Sequence, residues 1–280
     1  MNDSIERLGH SVIHHGEASN RIYLMKFSWE DQDNIIEKLD RLAGRKGYSK
    51  IIAKVPARAQ PLFLTGDYQM EASIPGFYNG EEDVFFMAKY FSSSRESKPK
   101  DKLNGFFGQL SPPVAKNRES RKLDPGYSIS MLNKTHAEEM TGIYRQVFAS
   151  YPFPIQDPAY LLETMRKGSV IYFGVKKESR LIGLSSAELD RTAKNAEMTD
   201  FAVLPECRGE GLAWFLLRQM EKEMAQIGIK TAYTIARLNS PGMNKTFIRS
   251  GYQYAGLLVN NTNIAGKIES MNVYYKPMAT

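Results

Sequence analysis

Apolar positions fall into two patterned regions, with a polar stretch at about 92–123 between them. In the later region, 127–131 alternates apolar and polar residues with the period of two that marks a strand. From 137 to 149 the spacing becomes helical, with Met140, Ile143, Tyr144, Val147 and Phe148 on one face. Pro152 and Pro154 end that helix, and Asp157 before Pro158 signals the start of another over 158–167. Residues 169–176 and 180–189 read as a hairpin that turns at Lys177-Glu178-Ser179. A strand over 198–204, a helix over 214–227, a strand over 231–237, a short helix and two last strands complete the order βααββ-β-α-β-α-ββ.

The earlier region predicts a strand over 21–27, an amphipathic helix over 29–45 with Ile35, Ile36, Leu39 and Leu42 on one face, a strand over 50–55 and a short helix over 58–64. Its end resembles the end of the chain. Phe63-Leu64-Thr65-Gly66-Asp67-Tyr68-Gln69 runs beside Phe247-Ile248-Arg249-Ser250-Gly251-Tyr252-Gln253, and two strand-like segments follow each. The expected organisation is an α/β domain at 1–91, a linker at 92–123 and a second domain at 124–280. The fold class is α/β with a mixed sheet.

Charge sharpens the picture of the linker. Of the net +6, +5 lies between Arg95 and Lys122, where Arg95, Lys98, Lys100, Lys102, Lys116, Arg118, Arg121 and Lys122 face only Glu96, Asp101 and Glu119. Ser, Pro and Gly fill the rest, so the segment reads as a solvated linker. No interleaved aromatics accompany it, which argues against a nucleic-acid partner. No apolar run is long enough to cross a membrane and the start carries no signal-peptide pattern. The single Cys207 excludes an intrachain disulfide, and the expected compartment is the cytoplasm. With His10, His14, His15 and His136 it forms no zinc spacing, so no metal is expected.

The chemistry begins at Arg208-Gly209-Glu210-Gly211-Leu212-Ala213, between a strand and a helix start. Glycines let the backbone approach an anion, the helix start offers free N–H groups and a positive dipole end, and Arg208 adds a donor fork. The spacing is neither a Walker loop nor a dinucleotide fingerprint. The longer phrase from Val203 to Ala213 resembles the pyrophosphate motif of the GNAT acetyltransferases, Arg/Gln-x-x-Gly-x-Gly/Ala, with Arg208, Gly211 and Ala213 on its three fixed positions.

That resemblance implies a GNAT fold over about 126–278, with acetyl-coenzyme A (acetyl-CoA) as co-substrate and Arg208, Gly209, Glu210, Gly211, Leu212 and Ala213 around its pyrophosphate. It also implies that a backbone N–H in Ala202-Val203-Leu204 meets the thioester. Glu197 falls where histone-acetylating members carry a general base, and a pairing with Lys194 is the alternative. Strand alternation puts Asp200 on the opposite face from Glu197 unless a bulge re-aims one of them. Asp200 is the second candidate catalytic carboxylate, with a salt bridge to a helix as its alternative. Where many members have a tyrosine acid, this chain has Phe247, which cannot donate a proton. Asn244, Tyr252 and Tyr254 are the remaining candidates, and Asn244, Asn239 and Ser240 are placed for contact with coenzyme A. Cys207 reads as incidental and His14-His15 as strand-end residues.

The first region has no glycine pair between Phe27 and Trp29. It reads as a degenerate half of the same fold that does not bind coenzyme A; two unrelated αβ elements are the alternative. Three further stretches, 50–57 with 71–78, 196–200, and 242–261, resemble the branch of the family that acetylates the side-chain amine of β-lysine. This implies an osmolyte product and a functional link to a lysine 2,3-aminomutase. Ile74-Pro75-Gly76-Phe77-Tyr78 reads as a turn, either structural or closing over the site. Competing readings are another small amine (polyamine, lysine or aminoglycoside) or a non-catalytic coenzyme A-binding regulator.

Overall fold

The computed structural model describes residues 3–98 and 122–278. Thirteen strands among them form one continuous sheet. The first half contributes β1 (Ser4–Leu8), β2 (Ser11–Gly16), β3 (Arg21–Lys26), β4 (Lys50–Pro56), β5 (Gln69–Tyr78) and β6 (Glu82–Tyr90). Its helices are α1 (Ile35–Lys46), α2 (Gln60–Thr65) and the single turn α3 (Ser93–Glu96). The second half runs β7 (Tyr127–Met131), α4 (Ala137–Val147), α5 (Pro158–Lys167), β8 (Val170–Lys177), β9 (Arg180–Asp190), β10 (Asn195–Val203), α6 (Leu212–Gln226), β11 (Thr231–Arg237), α7 (Pro241–Arg249), β12 (Gln253–Ile264) and β13 (Lys267–Pro277).

The helices follow the apolar pattern. α1 buries Ile35, Leu39, Leu42 and Ala43 and stops at Gly47, whose left-handed φ of 68° closes the C-terminus. It starts later than its periodicity suggests. Asp31, in a 3-10 turn at Trp29–Asp31, accepts from the N–H groups of His10 and Ser11 and from the Ser11 hydroxyl. That binds the turn to the β1–β2 connection and leaves α1 to begin at Ile35. α5 starts as expected, with Asp157 accepting from Ala159 N–H ahead of Pro158.

Strand order is β1-β2-β3-β4-β6-β5 in the first half and β7-β8-β9-β10-β11-β13-β12, read inward, in the second. In both, one parallel pair spans a helix: β3–α1–β4 and β10–α6–β11. In both, the last hairpin folds back so that its second strand, β6 or β13, lies against that pair. The halves join where the equivalent strands β5 and β12 pair antiparallel, with Ala72 opposite Gly256. Tyr23, Ile52, Ile74, Phe77 and Phe86 of the first half pack with Tyr233, Leu258, Met271 and Val273 of the second, so a buried layer lies between the halves.

The start of the linker departs from its reading. Arg95 is buried, 5% exposed, and donates to Ser49 Oγ and to the carbonyls of Ser19 and Asn261. Backbone oxygens of the β2–β3 turn and of β12 hold it in place of water. The other basic residues between Lys100 and Arg121 lie outside the described residues.

Gly256 sits at φ 145°, and a Cβ there would come within 2.2 Å of the Glu71 carbonyl. Backbone cannot yield as a flexible side chain does. Gly256→Ala is expected to destabilise the protein by about 2–4 kcal/mol, read as a lower urea midpoint; an unchanged midpoint would show that the junction relaxes freely.

Candidate active site

β10 pairs with β11 only from Asn195 to Glu197, opposite Thr231 to Tyr233, and then the two strands part. On its other side β10 carries a bulge: Asp200 and Phe201 together oppose Ser185 of β9, between the Thr199–Ser186 and Ala202–Leu184 pairs. Asp200 adopts φ 55°, uncommon for a residue with a side chain. The bulge re-aims the strand, and the opening holds a cleft of about 600 Å³. Met198, Thr199, Asp200, Phe201 and Val203 line one wall, Thr234, Ile235, Ala236 and Arg237 the other.

The glycine turn closes one end. Gly209 and Gly211 take φ 90° and 74°, and a Cβ on Gly209 would meet open space. Gly211 caps α6 without a side-chain acceptor, so first-turn N–H groups remain at Leu212 and Ala213, which line the cleft with Arg208, Gly209 and Gly211. Arg208 Nε donates to the Val203 carbonyl at 3.2 Å. Leu204 N–H donates to Ile182 of β9. By strand alternation the N–H and C=O of Val203 point the other way, into the opening. Ala202 and Leu204 are buried core. First-turn N–H groups and Arg208 are therefore brought together at this end of the cleft, while the Glu210 carboxylate accepts from Tyr127.

Three acidic side chains crowd the foot of the opening. Glu188 of β9 lies directly opposite Glu197 of β10, so both share a face. Burial pushes the Glu197 carboxyl up to about 7, against Lys54, the Tyr233 hydroxyl and the Ile235 N–H, which favour the anion. Glu188 is held well above the carboxylate range by burial and by the charges of Glu197 and Asp200. Burial also raises Asp200, although Ser186 Oγ donates to it at 2.6 Å and Tyr151 donates as well. Among the described residues Asp200 makes no salt bridge; its partners are the hydroxyls of Ser186, Tyr151 and Thr199. The bulge brings Asp200 within electrostatic reach of Glu197 despite the alternation. Lys194 sits in a turn at φ 51°, and the cation acting on Glu197 is Lys54 from the first half, 3.5 Å from Tyr233 Oη.

Several expectations change. Asn244 is corrected from a coenzyme A contact to framework: it is 2% exposed, donates to the Arg237 and Ser240 carbonyls and accepts from Asn272 and Tyr274. Its amide is fully occupied in tying β11 to α7. Phe247 packs edge-on to Phe201 and Tyr252, while Tyr151 lines the cleft. The 74–78 segment carries Phe77 against the Tyr233 ring, 5.0 Å between centroids. It lies in β5, held by Thr231 Oγ1 on the Gly76 carbonyl and Asn195 Nδ2 on the Phe77 carbonyl. The residues missed from sequence are Glu188, Lys54, Tyr233 and Tyr151. Glu188 lies in the expected strand 180–189, but its pairing with Glu197 appears only in the folded sheet.

An opened parallel pair, a helix start for phosphate and buried carboxylates for an ammonium together suit acyl transfer from a phosphate-bearing carrier to an amine. Residues 137–252 match the acetyltransferase (GNAT) family model. The chain belongs to the GNAT acetyltransferase family and is an acetyl-CoA-dependent amine N-acetyltransferase. It is 38% identical to a β-lysine N6-acetyltransferase of Methanococcus maripaludis over 98% of both chains. It is 32% identical to the N-acetyltransferase YodP of Bacillus subtilis, over 96% of both chains. It is also 32% identical to a β-lysine N6-acetyltransferase of Methanosarcina mazei, over 86% of this chain and 96% of that one.

The raised Glu197 carboxyl makes a stability prediction. The folded protein holds this proton more tightly than the unfolded chain, whose ordinary value is 4.5. The resulting stabilisation is complete below about 4.5 and is lost as pH rises through about 7. Glu197→Gln is neutral throughout. It should match the wild type at pH 5 and exceed it by about 2 kcal/mol at pH 8, measured by denaturant unfolding without ligand. A constant difference at both pH values would contradict the raised carboxyl.

Proposed function

We propose that the protein transfers acetyl from acetyl-CoA directly to N6 of β-lysine, giving N6-acetyl-β-lysine. The observation that carries this reading is the cluster of Asp200, buried and lining the cleft, with the half-buried Glu188 and Glu197 on the neighbouring strand positions, an environment suited to an ammonium. The two relatives named for β-lysine support the acceptor.

In this reading the N–H groups of Gly209, Gly211, Leu212 and Ala213, with Arg208, hold the pyrophosphate. Val203 N–H receives the thioester oxygen as charge develops on it. Glu197 takes a proton from the N6 ammonium, directly or through water, with Asp200 as the second carboxylate. The free amine then forms the N–C bond as the C–S bond breaks. Phe247 cannot protonate the leaving thiolate. Tyr151 lines the cleft and is oriented by Asp200, which makes it the acid.

β-Lysine carries two ammonium groups and one carboxylate, and acetylation removes one positive charge. A neutral zwitterion suits an osmolyte, and a lysine 2,3-aminomutase would supply the substrate. The first half is read as a degenerate copy of the fold: its strand order repeats that of the second half, but no glycine turn follows β3. The reading places the enzyme in the cytoplasm.

Thiol release from acetyl-CoA over a panel of β-lysine, lysine, spermidine and an aminoglycoside should show β-lysine fastest; equal rates on lysine and β-lysine would remove the assignment. With β-lysine, kcat/KM should rise about tenfold per pH unit below pH 7 and level above it as Glu197 loses its proton. Glu197→Gln should lose that limb and on the order of 100-fold or more in rate; a retained limb would assign the base elsewhere.

A further inference from the structure

The inner face of the first half carries a second buried charged group, of opposite sign to the carboxylates. Arg21 of β3 and Lys50 of β4 are register partners in the parallel pair, so they share a face. Arg95 lies near enough for its charge and that of Arg21 to act on each other. All three are buried, at 3%, 0% and 5% exposure. Lys50 is satisfied by Glu71 at 2.8 Å and by the Val259 carbonyl at 2.7 Å. Arg95 is held by neutral oxygens. Arg21 is different. Its Nε and Nη1 have no hydrogen-bond partner among the described residues. Its guanidinium lies 5.3 Å from the centre of the Tyr23 ring. The buried carboxylates around these cations are Glu71 and Asp3, so three positive charges face two negative ones.

An unpaired guanidinium removed from water is strongly unfavourable, and a chain retains one where a ligand supplies the partner. The rigid donor fork of arginine is suited to a carboxylate. Position agrees with this. Arg21 and Tyr23 are two residues apart on one face of β3, about 7 Å along the strand. Tyr23 feels the charges of both Glu197 and Glu188. One strand thus carries both the guanidinium with unpartnered nitrogens and a side chain that feels the carboxylates.

We propose that Arg21, backed by Lys50 and Arg95, binds the carboxylate of the acceptor, so the enzyme selects diamino acids over amines that lack a carboxylate. This rests on the reading above that Glu188, Glu197 and Asp200 receive the ammonium end. The two poles then complement the substrate: one excess cation at the first, and the carboxyl groups of Glu188, Glu197 and Asp200 beside Lys54 at the second.

The test compares β-lysine with its carboxamide, which keeps both amines and removes the negative charge. Thiol release is followed with saturating acetyl-CoA. The wild type should prefer the acid by on the order of 100-fold in kcat/KM. Arg21→Met should raise KM for β-lysine by a similar factor, leave kcat within a few-fold, and erase the preference, while Arg21→Lys recovers part of it. The Tm of ligand-free Arg21→Met should equal or exceed that of the wild type, since an unpaired buried charge is removed. Indifference of the wild type to acid against amide overturns the proposal without any variant, and so does a preference that survives in Arg21→Met. If the wild type ignores β-lysine but acetylates another diamino acid, the β-lysine reading fails and the same comparison with that acid's amide decides the subsite. Acetylation confined to polyamines overturns both.

Discussion

The ladder between β10 and β11 stops after Glu197–Tyr233, and the site follows from that stop. Two strands that part leave N–H and C=O groups on both lips without partners, which must be satisfied or left for a ligand. The site's own residues do most of this. The Glu197 carboxylate takes Ile235 N–H, and Arg208 takes the Val203 carbonyl. Val203 N–H remains, aimed into the opening. The left-handed Asp200 that sustains the bulge is held from two sides by Ser186 and Tyr151. A conformation unfavourable in isolation persists because its surroundings determine it.

The first half completes this arrangement from above. An exposed strand end would leave Glu188 and Glu197 in water with ordinary acidity. Packing of Tyr23, Ile52 and Phe77 against Tyr233 and its neighbours removes that water. The same packing lifts Glu197 toward neutrality, where a carboxylate works best as a base. Lys54 opposes the effect and keeps Glu197 from rising further. Tuning of the candidate base is therefore a property of the layer between the halves as well as of β10.

The local parts of this architecture were legible in the sequence. Periodicity gave α4, α5 and the hairpin of β8 and β9, and the Arg208–Ala213 phrase pointed to the anion site. Parity along β10 made a bulge the condition for Asp200 to work with Glu197, and the bulge is present. What stayed hidden depends on contacts distant along the chain. Lys54 and Tyr233 are separated by 179 residues. Tyr151 precedes a helix-ending proline and carried no signal, although its hydroxyl meets Asp200. Asn244 misled for the converse reason: a polar residue near a cleft is as well suited to bonding carbonyls beneath it. Arg95, in a basic run, has the pattern of a solvated residue, but carbonyls of Ser19 and Asn261, distant along the chain, take its donors.

The two halves share a strand order but divide the charge. The second half carries carboxylates at its opened pair, while the first keeps its pair closed over Arg21 to Leu24 and carries cations on the face turned inward. Burial disfavours the charged forms of Glu188 and Glu197 and leaves two guanidinium nitrogens of Arg21 without a partner among the described residues. Hydrophobic residues of similar size would pack there at lower cost. Opposite surpluses along one face are the pattern expected where the missing counter-charges arrive together on one molecule. Glycine pairs and open strands alone would describe a donor site common to the family. In the proposed reading the acceptor is recognised by this charge division, which exists only because β3 and β4 pack against the same layer as β10 and β11.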